Sequence, residues 1–195
     1  MPGYSGRPRS ADVDAAVEHA VTTLLAERGY SRLTIEGVAQ RAGVAKTAIY
    51  RRWAAKPEMV FAMLVHDTDI RPLPDQGSYA ADLHALTAHI IELLSVPVTR
   101  DALPGLLADL RATPQLSVRF RELLITPERR VVEAILARAR KRGDLPDGVD
   151  PAILHAQLLG TVFAWIYLID APVSADLATL ITAPLHPTPG NEEQR

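Results

Sequence analysis

Positive charge and aromatic rings are concentrated in one short segment near the front of the chain. The segment spans residues 43–56, GVAKTAIYRRWAAK, and its cations and aromatic residues are Lys46, Arg51, Arg52, Lys56, Tyr50 and Trp53. Lysine and arginine are attracted to phosphates, and a tyrosine ring covers a sugar while its hydroxyl reaches a phosphate. The combination favours contact with nucleic acid, although an ordinary solvated amphipathic helix shows the same pattern.

Two short helices must hold this segment in place. Thr34 is a suitable N-cap for the first helix, whose apolar edge begins at Ile35 and which ends at a tight turn marked by Gly43. The second helix covers roughly residues 45–53 and turns Ile49 inward. Its other face carries Lys46, Thr47, Tyr50 and Arg51. This is the helix-turn-helix pattern, in which the second helix enters the major groove of DNA.

Further helices flank this pair. A first helix is predicted from about Ser10 to Arg28, with Gly29 ending it. A fourth begins at Lys56, tolerates Pro57 in its first turn, and runs to residue 66. At a helix start, the charge of Lys56 adds to backbone N–H groups that can hold a phosphate.

The charge of the chain is divided unevenly. The 195 residues have a formal net charge of −2, but residues 1–66 hold nine Lys and Arg against six Asp and Glu, and the remainder holds twelve against seventeen. The front is therefore net positive and the back net negative. A basic front on a mildly acidic protein favours contact between the front and a polyanion.

The composition as a whole is that of a helical globular protein. Hydrophobic residues make up 48% of the chain, and no segment shows the sustained alternation of a strand. Cysteine is absent, which excludes a disulfide framework, a thiolate nucleophile and a cysteine metal site. We predict an all-α fold of about nine or ten helices. The remaining helices are expected near residues 79–95, 101–112, 114–125, 127–142, 151–169 and 174–183.

Proline, glycine and polar residues mark the boundaries. Residues 69–78, DIRPLPDQGS, break helix and predict a linker over 67–78, between an N-terminal part at 1–66 and a helical domain at 79–183. The prolines of the back half, Pro104 among them, are expected at or near helix ends. The tail at 184–195 is polar and proline-rich, and we expect it to be disordered.

A long run without formal charge lies between Asp150 and Asp170. A helix that crosses a bilayer needs about 20 apolar residues. This run contains His155 and Gly160 and is bordered by acidic residues, so we interpret it as the buried centre of a helical protein or as a seam between two chains. The front has no apolar segment of the secretory type, and we expect a cytoplasmic protein without membrane contact.

Residues 24–60, LLAERGYSRLTIEGVAQRAGVAKTAIYRRWAAKPEMV, resemble the N-terminal DNA-binding region of the tetracycline-repressor (TetR) family of transcription regulators. The matching residues keep the family's spacing, and they are Gly29, Tyr30, Thr34, Ile35, Val38, Ala39, Ala42, Gly43, Val44, Lys46, Ile49, Tyr50, Trp53 and Lys56. The resemblance implies that the DNA-facing positions are Thr34, Ala45, Lys46, Thr47, Tyr50, Arg51 and Lys56.

Three details qualify this likeness. Ala45 stands where the family often has Ser or Thr, and Ala55 where a capping Ser is common, so one phosphate contact and one helix cap are in question. The opening GRPRS resembles members with a basic arm before the first helix. Arg7 and Arg9 then either contact phosphate or enter a minor groove, or they belong to a solvated tail.

The same resemblance implies that the back half binds a ligand and forms a dimer. Residues 79–183 are similar to a C-terminal domain common among actinobacterial members, partly through PERRVVEAILARARKRGDL. The helices near 127–142 and 151–169 would form a four-helix seam with a second copy. The implied partners are a near-palindromic double-stranded DNA operator, a second copy in a homodimer and a small-molecule effector, with no cofactor and no metal.

A regulatory ligand is expected among the helices from 79 to 125 and the long helix after residue 150. The candidate lining residues are Leu86, His89, Ile90, Leu93, Phe120, Leu124, Phe163, Trp165 and Tyr167. Each is also compatible with plain core, and Trp165 with the dimer seam. Because the apolar stripes carry few charges, we expect a largely hydrophobic effector. The implied function is a DNA-binding transcriptional regulator, a repressor released from its operator by that effector.

Other interpretations remain open. A cluster of cations, Arg138, Arg140, Lys141 and Arg142, could form a second nucleic-acid patch, but a solvated face near a helix C-terminus is favoured. A dimeric helical enzyme, or an adaptor with a non-functional DNA-binding head, is the alternative function. The candidates for catalysis are His66, Asp67 and Asp69, and separately Asp82, His84 and His89. Neither group has a strong metal spacing or a recognisable catalytic motif, so no enzyme is expected.

Overall fold

The computed structural model describes residues 9–66, 73–145 and 148–185, with side chains from residue 12 onward and without that of His66. All regular structure in these ranges is helical. The α-helices are α1 (Arg9–Arg32), α2 (Ile35–Ala42), α3 (Lys46–Tyr50), α4 (Lys56–His66), α5 (Tyr79–Ser95), α6 (Pro97–Ala112), α7 (Pro114–Phe120), α8 (Thr126–Arg142), α9 (Pro151–Phe163) and α10 (Leu177–Thr182). π-Helical turns cover Arg121–Ile125 and Ala164–Leu168, and a 3₁₀ turn covers Ala183–Leu185. The predicted all-α fold is confirmed.

The described helices form two compact units. The first contains α1 to α4 together with α6 and α7, and the second contains α5 and α8 to α10. In the first unit, α1 packs against both α2 and α6, and α4 packs against α6 and α7. The predicted division at the linker places α6 and α7 in the back domain, whereas their contacts join them to the front helices.

Each unit has its own hydrophobic core. In the first unit, Val17, Val21, Ile49 and Phe61 are almost fully buried. In the second, the inner faces of α5, α8 and α9 meet, and Leu83, Ile135, Leu136 and Leu158 have no exposed surface. These residues recur at helical spacing, so the buried stripes follow directly from the sequence.

Glycine and capping residues mark several helix ends, as the sequence predicts. Gly29 interrupts the helical geometry of α1 with a φ of 70°, and Gly43 ends α2 with a φ of 67°. Both values lie in the left-handed region, where glycine has no steric penalty. The Thr34 hydroxyl caps α2 by accepting from the N–H of Gly37 at 3.0 Å, as predicted.

Other boundaries differ from the predictions. Helix α3 ends at Tyr50 rather than near residue 53, and α6 begins at Pro97 rather than residue 101. Pro97 fits at a helix start because no intrahelical N–H is needed there. The expectation that Pro104 lies near a helix end is wrong, since α6 continues through it. The linker residues 67–72 and the tail residues 186–195 lie outside the described residues.

Candidate nucleic-acid interface

Helices α2 and α3 hold the candidate interface on a rigid support. Ile49 points into the core of the first unit and is fully buried, which fixes the rotation of α3 about its own axis. The turn at Gly43 is closed by backbone hydrogen bonds, in which the N–H of Val44 donates to the carbonyl of Ala39 at 3.1 Å. The side chains on the other face of α3 therefore have a defined direction.

That other face is exposed, as the helix-turn-helix pattern predicts. Lys46, Thr47 and Arg51 are exposed, and the Tyr50 side chain is a large hydrophobic group with 49% of its surface accessible. Ala45 is exposed at the N-cap of α3 and makes no side-chain capping hydrogen bond. The backbone N–H groups at this helix start are thus open to an outside acceptor such as a phosphate.

Lys46 pairs with an acidic residue of α2. Its ammonium nitrogen lies 3.1 Å from Oε1 of Glu36 in the first turn of α2, and both side chains are more than half exposed. The backbone hydrogen bond of Glu36, and then the Lys46 ammonium, lower the pKa of the Glu36 carboxyl. A phosphate must therefore compete with Glu36 for Lys46.

Arg52 and Arg41 form ion pairs with acidic residues of α1 within the first unit. Arg52 forms an ion pair with Asp14 of α1, and its Nη1 donates to the carbonyl of Ala48 at 3.1 Å. Arg41 contacts Glu27 of α1 through two hydrogen bonds of 3.0 and 2.6 Å. These cations fasten α2 and α3 to α1.

Lys56 is half-buried and contacts Tyr30. Its ammonium lies 4.1 Å from the centroid of the Tyr30 ring and donates to the Tyr30 carbonyl at 3.2 Å. Ala55 cannot cap the start of α4, but a carboxylate oxygen of Glu58 accepts from the N–H of Ala54 at 2.8 Å. A glutamate in the first turn thus satisfies a donor just before the helix start, whereas the first-turn N–H that a capping serine would satisfy gains no partner from it.

Arg7 and Arg9 are the two cations of the predicted basic arm. Arg7 lies outside the described residues. Arg9 is the first residue of α1, and its side chain is not described. Their predicted DNA contacts remain predictions.

Some of the residues expected to line a ligand site surround one small cavity in the second unit. Leu86, His89 and Ile90 of α5 line it. The cavity is completed by Leu73, Glu128, Val131 and His155. His155 Nε2 lies 3.0 Å from Oε2 of Glu128, and both side chains are largely buried. No sequence pattern predicts this pair, because its members lie 27 residues apart on different helices.

The other candidate lining residues lie elsewhere. Phe120 packs against Phe61 in the first unit, with ring centroids 5.8 Å apart. Phe163 and Tyr167 stack at 4.7 Å, and the Tyr167 hydroxyl donates to the carbonyl of Leu94 at 2.9 Å. The indole N–H of Trp165 donates to the Pro172 carbonyl at 3.1 Å. Leu93 and Leu124 are half-buried and are not among the residues around the cavity.

The cation cluster at the end of α8 is partly structural. Asp82, whose side chain has no exposed surface, accepts from Arg138 at 3.2 Å and from Arg142 at 2.9 Å. Arg142 also pairs with Asp75 at 2.7 Å and with Asp144 at 2.8 Å. The expected solvated face is therefore wrong for Arg138 and Arg142. The network fixes residues 73–78 against the C-terminal end of α8.

The described candidates for catalysis, Asp82, His84 and His89, do not assemble into a site. Asp82 is held by the two arginines, His84 is exposed and His89 borders the cavity. Asp67, Asp69 and the side chain of His66 lie outside the description. Among the described residues, no group of three or more histidine and acidic side chains could hold a metal ion.

One described helix is long and apolar enough to cross a membrane. It is Pro151–Leu168, and 28% of it is buried within the chain. The expectation of a buried centre therefore does not hold within a single chain, while the alternative of a seam between chains fits the exposed surface.

Comparison with known proteins identifies the family. The model of bacterial regulatory proteins of the tetR family matches residues 19–63, and that of the tetracyclin repressor-like C-terminal domain matches residues 73–184. The uncharacterized HTH-type transcriptional regulator YdeS of Bacillus subtilis is 26% identical over 84% of this chain and 82% of its own length. The DNA-binding transcriptional repressor TetR of Mycobacteroides abscessus is 31% identical over 72% and 75%.

The fold also matches solved structures. The crystal structure of NalD, the secondary repressor of the MexAB-OprM multidrug efflux pump in Pseudomonas aeruginosa, has a TM-score of 0.61 and 23% identity, and the match covers 90% of this chain and 96% of NalD. The chain therefore belongs to the tetracycline-repressor family of DNA-binding transcriptional regulators. The resemblance noted in residues 24–60 is confirmed.

Proposed function

We propose that two copies of this chain bind a near-palindromic DNA operator through α3, and that a small, largely hydrophobic effector releases them, so that the protein acts as a cytoplasmic repressor. The observation that carries the proposal is the exposed face of α3, where Lys46, Thr47, Tyr50 and Arg51 project while Ile49 anchors the helix. A helix of this kind fits the major groove, and its cations and hydroxyls suit phosphates and base edges.

An exposed stripe on α9 and the π-helical turn that follows it supports the pairing of two copies. Ile153 is 60% exposed and Leu168 is 73% exposed, and the small residues Ala156, Gly160 and Ala164 lie between them at three- or four-residue steps. A Cβ added at Gly160 would meet nothing within 4 Å, so the surface there is open. Small side chains allow two helices to approach closely, and a two-fold dimer suits a two-fold operator.

An effector site in the second unit would enlarge the small cavity bordered by Leu86, His89 and Ile90, which as it stands has room for about one water molecule. Its lining is mostly aliphatic, which favours an apolar ligand. An effector that prefers one arrangement of the two DNA-binding heads would shift the population toward it and lower the affinity for the operator. We expect hydrophobic compounds that raise the melting temperature of the chain to release bound DNA as well. Compounds that raise it without releasing DNA would contradict this part of the proposal.

A gel-shift titration with the DNA that flanks the protein's own gene tests the DNA-binding part. We expect retardation at low salt, with an affinity that falls steeply as salt is raised. Tyr50→Ala and Lys46→Ala should weaken binding. Lys141→Ala removes an exposed cation from α8 and is the matched control, which should bind like the wild type. Unchanged affinity in both α3 variants would contradict the proposal.

A further inference from the structure

The Tyr30 ring contacts both α6 and the Lys56 ammonium. A Cβ added at Gly105 of α6 would lie 2.7 Å from Cγ of Tyr30, so the ring packs directly on the helix backbone. The Lys56 ammonium lies 4.1 Å from the ring centroid and donates to the Tyr30 carbonyl at 3.2 Å. The position of this ammonium therefore depends on where the Tyr30 ring is held.

Asp109 holds the hydroxyl end of the same ring. The Tyr30 hydroxyl donates to Oδ2 of Asp109 at 2.6 Å. Burial, and then the hydrogen bond to Asp109, raise the pKa of the Tyr30 phenol well above its usual value, so the hydroxyl remains a donor at neutral pH. Gly105 and Asp109 are four residues apart and share one face of α6. This face of α6 holds the Tyr30 ring in two ways, by backbone packing at Gly105 and by the hydrogen bond to the Asp109 carboxylate.

The Lys56 ammonium keeps donors for another partner. An ammonium has three N–H donors, and the Tyr30 carbonyl takes one of them. A free lysine side chain loses considerable rotamer entropy when it is ordered on a phosphate. An ammonium already held over an aromatic ring loses less, so the same contact yields a higher affinity.

We propose that Tyr30, Gly105 and Asp109 are positioning residues for DNA binding, which hold the Lys56 ammonium ready for a phosphate. The inference rests on the proposed DNA contact of Lys56. It extends the residues that determine DNA affinity from the helix-turn-helix to α6, within the first unit.

The sign of the effect at Asp109 separates positioning from simple charge. Removal of an acidic group from a DNA-binding unit raises its affinity for a polyanion when charge alone matters. Positioning demands the opposite, a loss of affinity when Asp109 is removed. Asp101 is the matched control, because it is an exposed aspartate on the same helix.

A double-mutant cycle tests the inference, with anisotropy measured on a fluorescent duplex of random sequence, since phosphate contacts do not depend on sequence. Lys56→Gln should reduce the slope of log affinity against log salt by about one. Asp109→Ala should lower affinity about three- to tenfold, and it should cause no further loss in the Lys56→Gln background. Asp109→Asn keeps an acceptor oxygen and should restore most of the affinity, while Asp101→Ala should not weaken binding.

Several results would overturn the inference. One is an equal loss from Asp109→Ala with and without Lys56. Another is a gain of affinity in Asp109→Ala that matches Asp101→Ala. Gly105→Ala, which displaces the ring, should show the same coupling to Lys56 and provides a second test if Asp109→Ala fails to fold. A wild type that binds no duplex removes both this inference and the proposed function, whereas a wild type that binds without coupling removes only the positioning role.

Discussion

At the scale of single residues, the exposed face of α3 carries a cation that attracts phosphate, and a neighbouring carboxylate competes with phosphate for that cation. Lys46 is expected to contact DNA, yet its ammonium lies 3.1 Å from the Glu36 carboxylate. Exposed ion pairs of this kind contribute little to stability. The pair therefore matters more for binding, because Glu36 both occupies Lys46 and repels the phosphates.

Glu36→Gln is expected to raise the affinity for duplex DNA, most strongly at low salt, because a competitor and a repulsive charge are removed together. Anisotropy titrations of the wild type and the variant measure the change. Glu27→Gln is the matched control, since Glu27 is also exposed and paired with a cation, Arg41, outside α3. An equal gain in both variants would show that general charge, not competition for Lys46, causes the effect.

Much of the residue-level interface could be predicted from the sequence. Helical spacing predicts that Ile49 is buried and Tyr50 exposed. Thr34 and Gly43 predict the start and the end of α2. The contact of Lys46 with Glu36 and that of Lys56 with Tyr30 could not be predicted. Each depends on where a long side chain settles between elements, and spacing along one helix does not determine that.

At the scale of elements, a network of charges holds the segment before α5 to the end of α8. Asp82 is its centre, with a side chain that has no exposed surface. One oxygen accepts from Arg138 and from the N–H of Gln76, and the other accepts from Arg142. Removal of Asp82 leaves Arg138 without the carboxylate that it pairs with, whereas Arg142 keeps Asp75 and Asp144.

Asp82→Ala is expected to lower the free energy of unfolding by about 3 kcal/mol, because two arginines lose their buried partner. Urea denaturation followed by circular dichroism measures the change. Glu133→Ala, an exposed acidic residue on α8, is the control and should stay within about 0.5 kcal/mol of the wild type. A loss at Asp82 no larger than that of the control would show that the network does not stabilise the unit.

The network also predicts a loss of stability in acid. The N–H of Gly77 lowers the pKa of Asp75, and Arg142 lowers the pKa of Asp144. A carboxyl with a lower pKa in the folded state contributes stability that is fully present above its ordinary pKa of about 4 and is lost as the pH falls through the lowered value. The free energy of unfolding should therefore stay level from neutral pH to about pH 4 and then decline.

Asp144→Asn should reduce the steepness of this decline, because one of the shifted groups no longer titrates. Urea denaturation at a series of pH values measures it. If the variant and the wild type lose stability with the same slope below pH 4, the pairing with Arg142 does not contribute.

The helices themselves were largely predictable, but this network was not. The bounds of α5 agree with those expected from the sequence, and Ser78 caps its start. The spacing of α8 shows that Arg138 and Arg142 share a face, yet nothing in the sequence places Asp82 opposite them. Arg138 and Arg142 lie 56 and 60 residues from Asp82 along the chain, and only the tertiary fold brings them into contact. The predicted position of Pro104 was wrong for a different reason. Proline is unusual inside a helix, yet α6 contains Pro104 in its interior.

At the scale of the whole molecule, recognition of a two-fold operator requires two copies. A single α3 is five residues long and reads few bases, whereas two copies read two half-sites in successive major grooves. The exposed stripe on α9 is the surface proposed to join them.

Gly160→Glu is expected to convert the dimer to a monomer and to weaken operator binding. A charge placed in an apolar seam must be desolvated, while the open surface at Gly160 lets the chain fold as before. Light scattering coupled to size exclusion measures the mass. Val118→Glu, at an exposed apolar position on α7, is the control and should leave the assembly unchanged. A dimer that persists in Gly160→Glu would exclude this stripe as the seam.

Hydroxyl-radical footprinting of the wild type on the DNA that flanks its own gene tests whether two copies bind one operator through α3. We expect two protected half-sites related by two-fold symmetry, with centres about one helical turn apart or a multiple of it, and no protection with Tyr50→Ala. A single unsymmetrical footprint, or protection that persists unchanged in Tyr50→Ala, would exclude operator binding by two α3 helices.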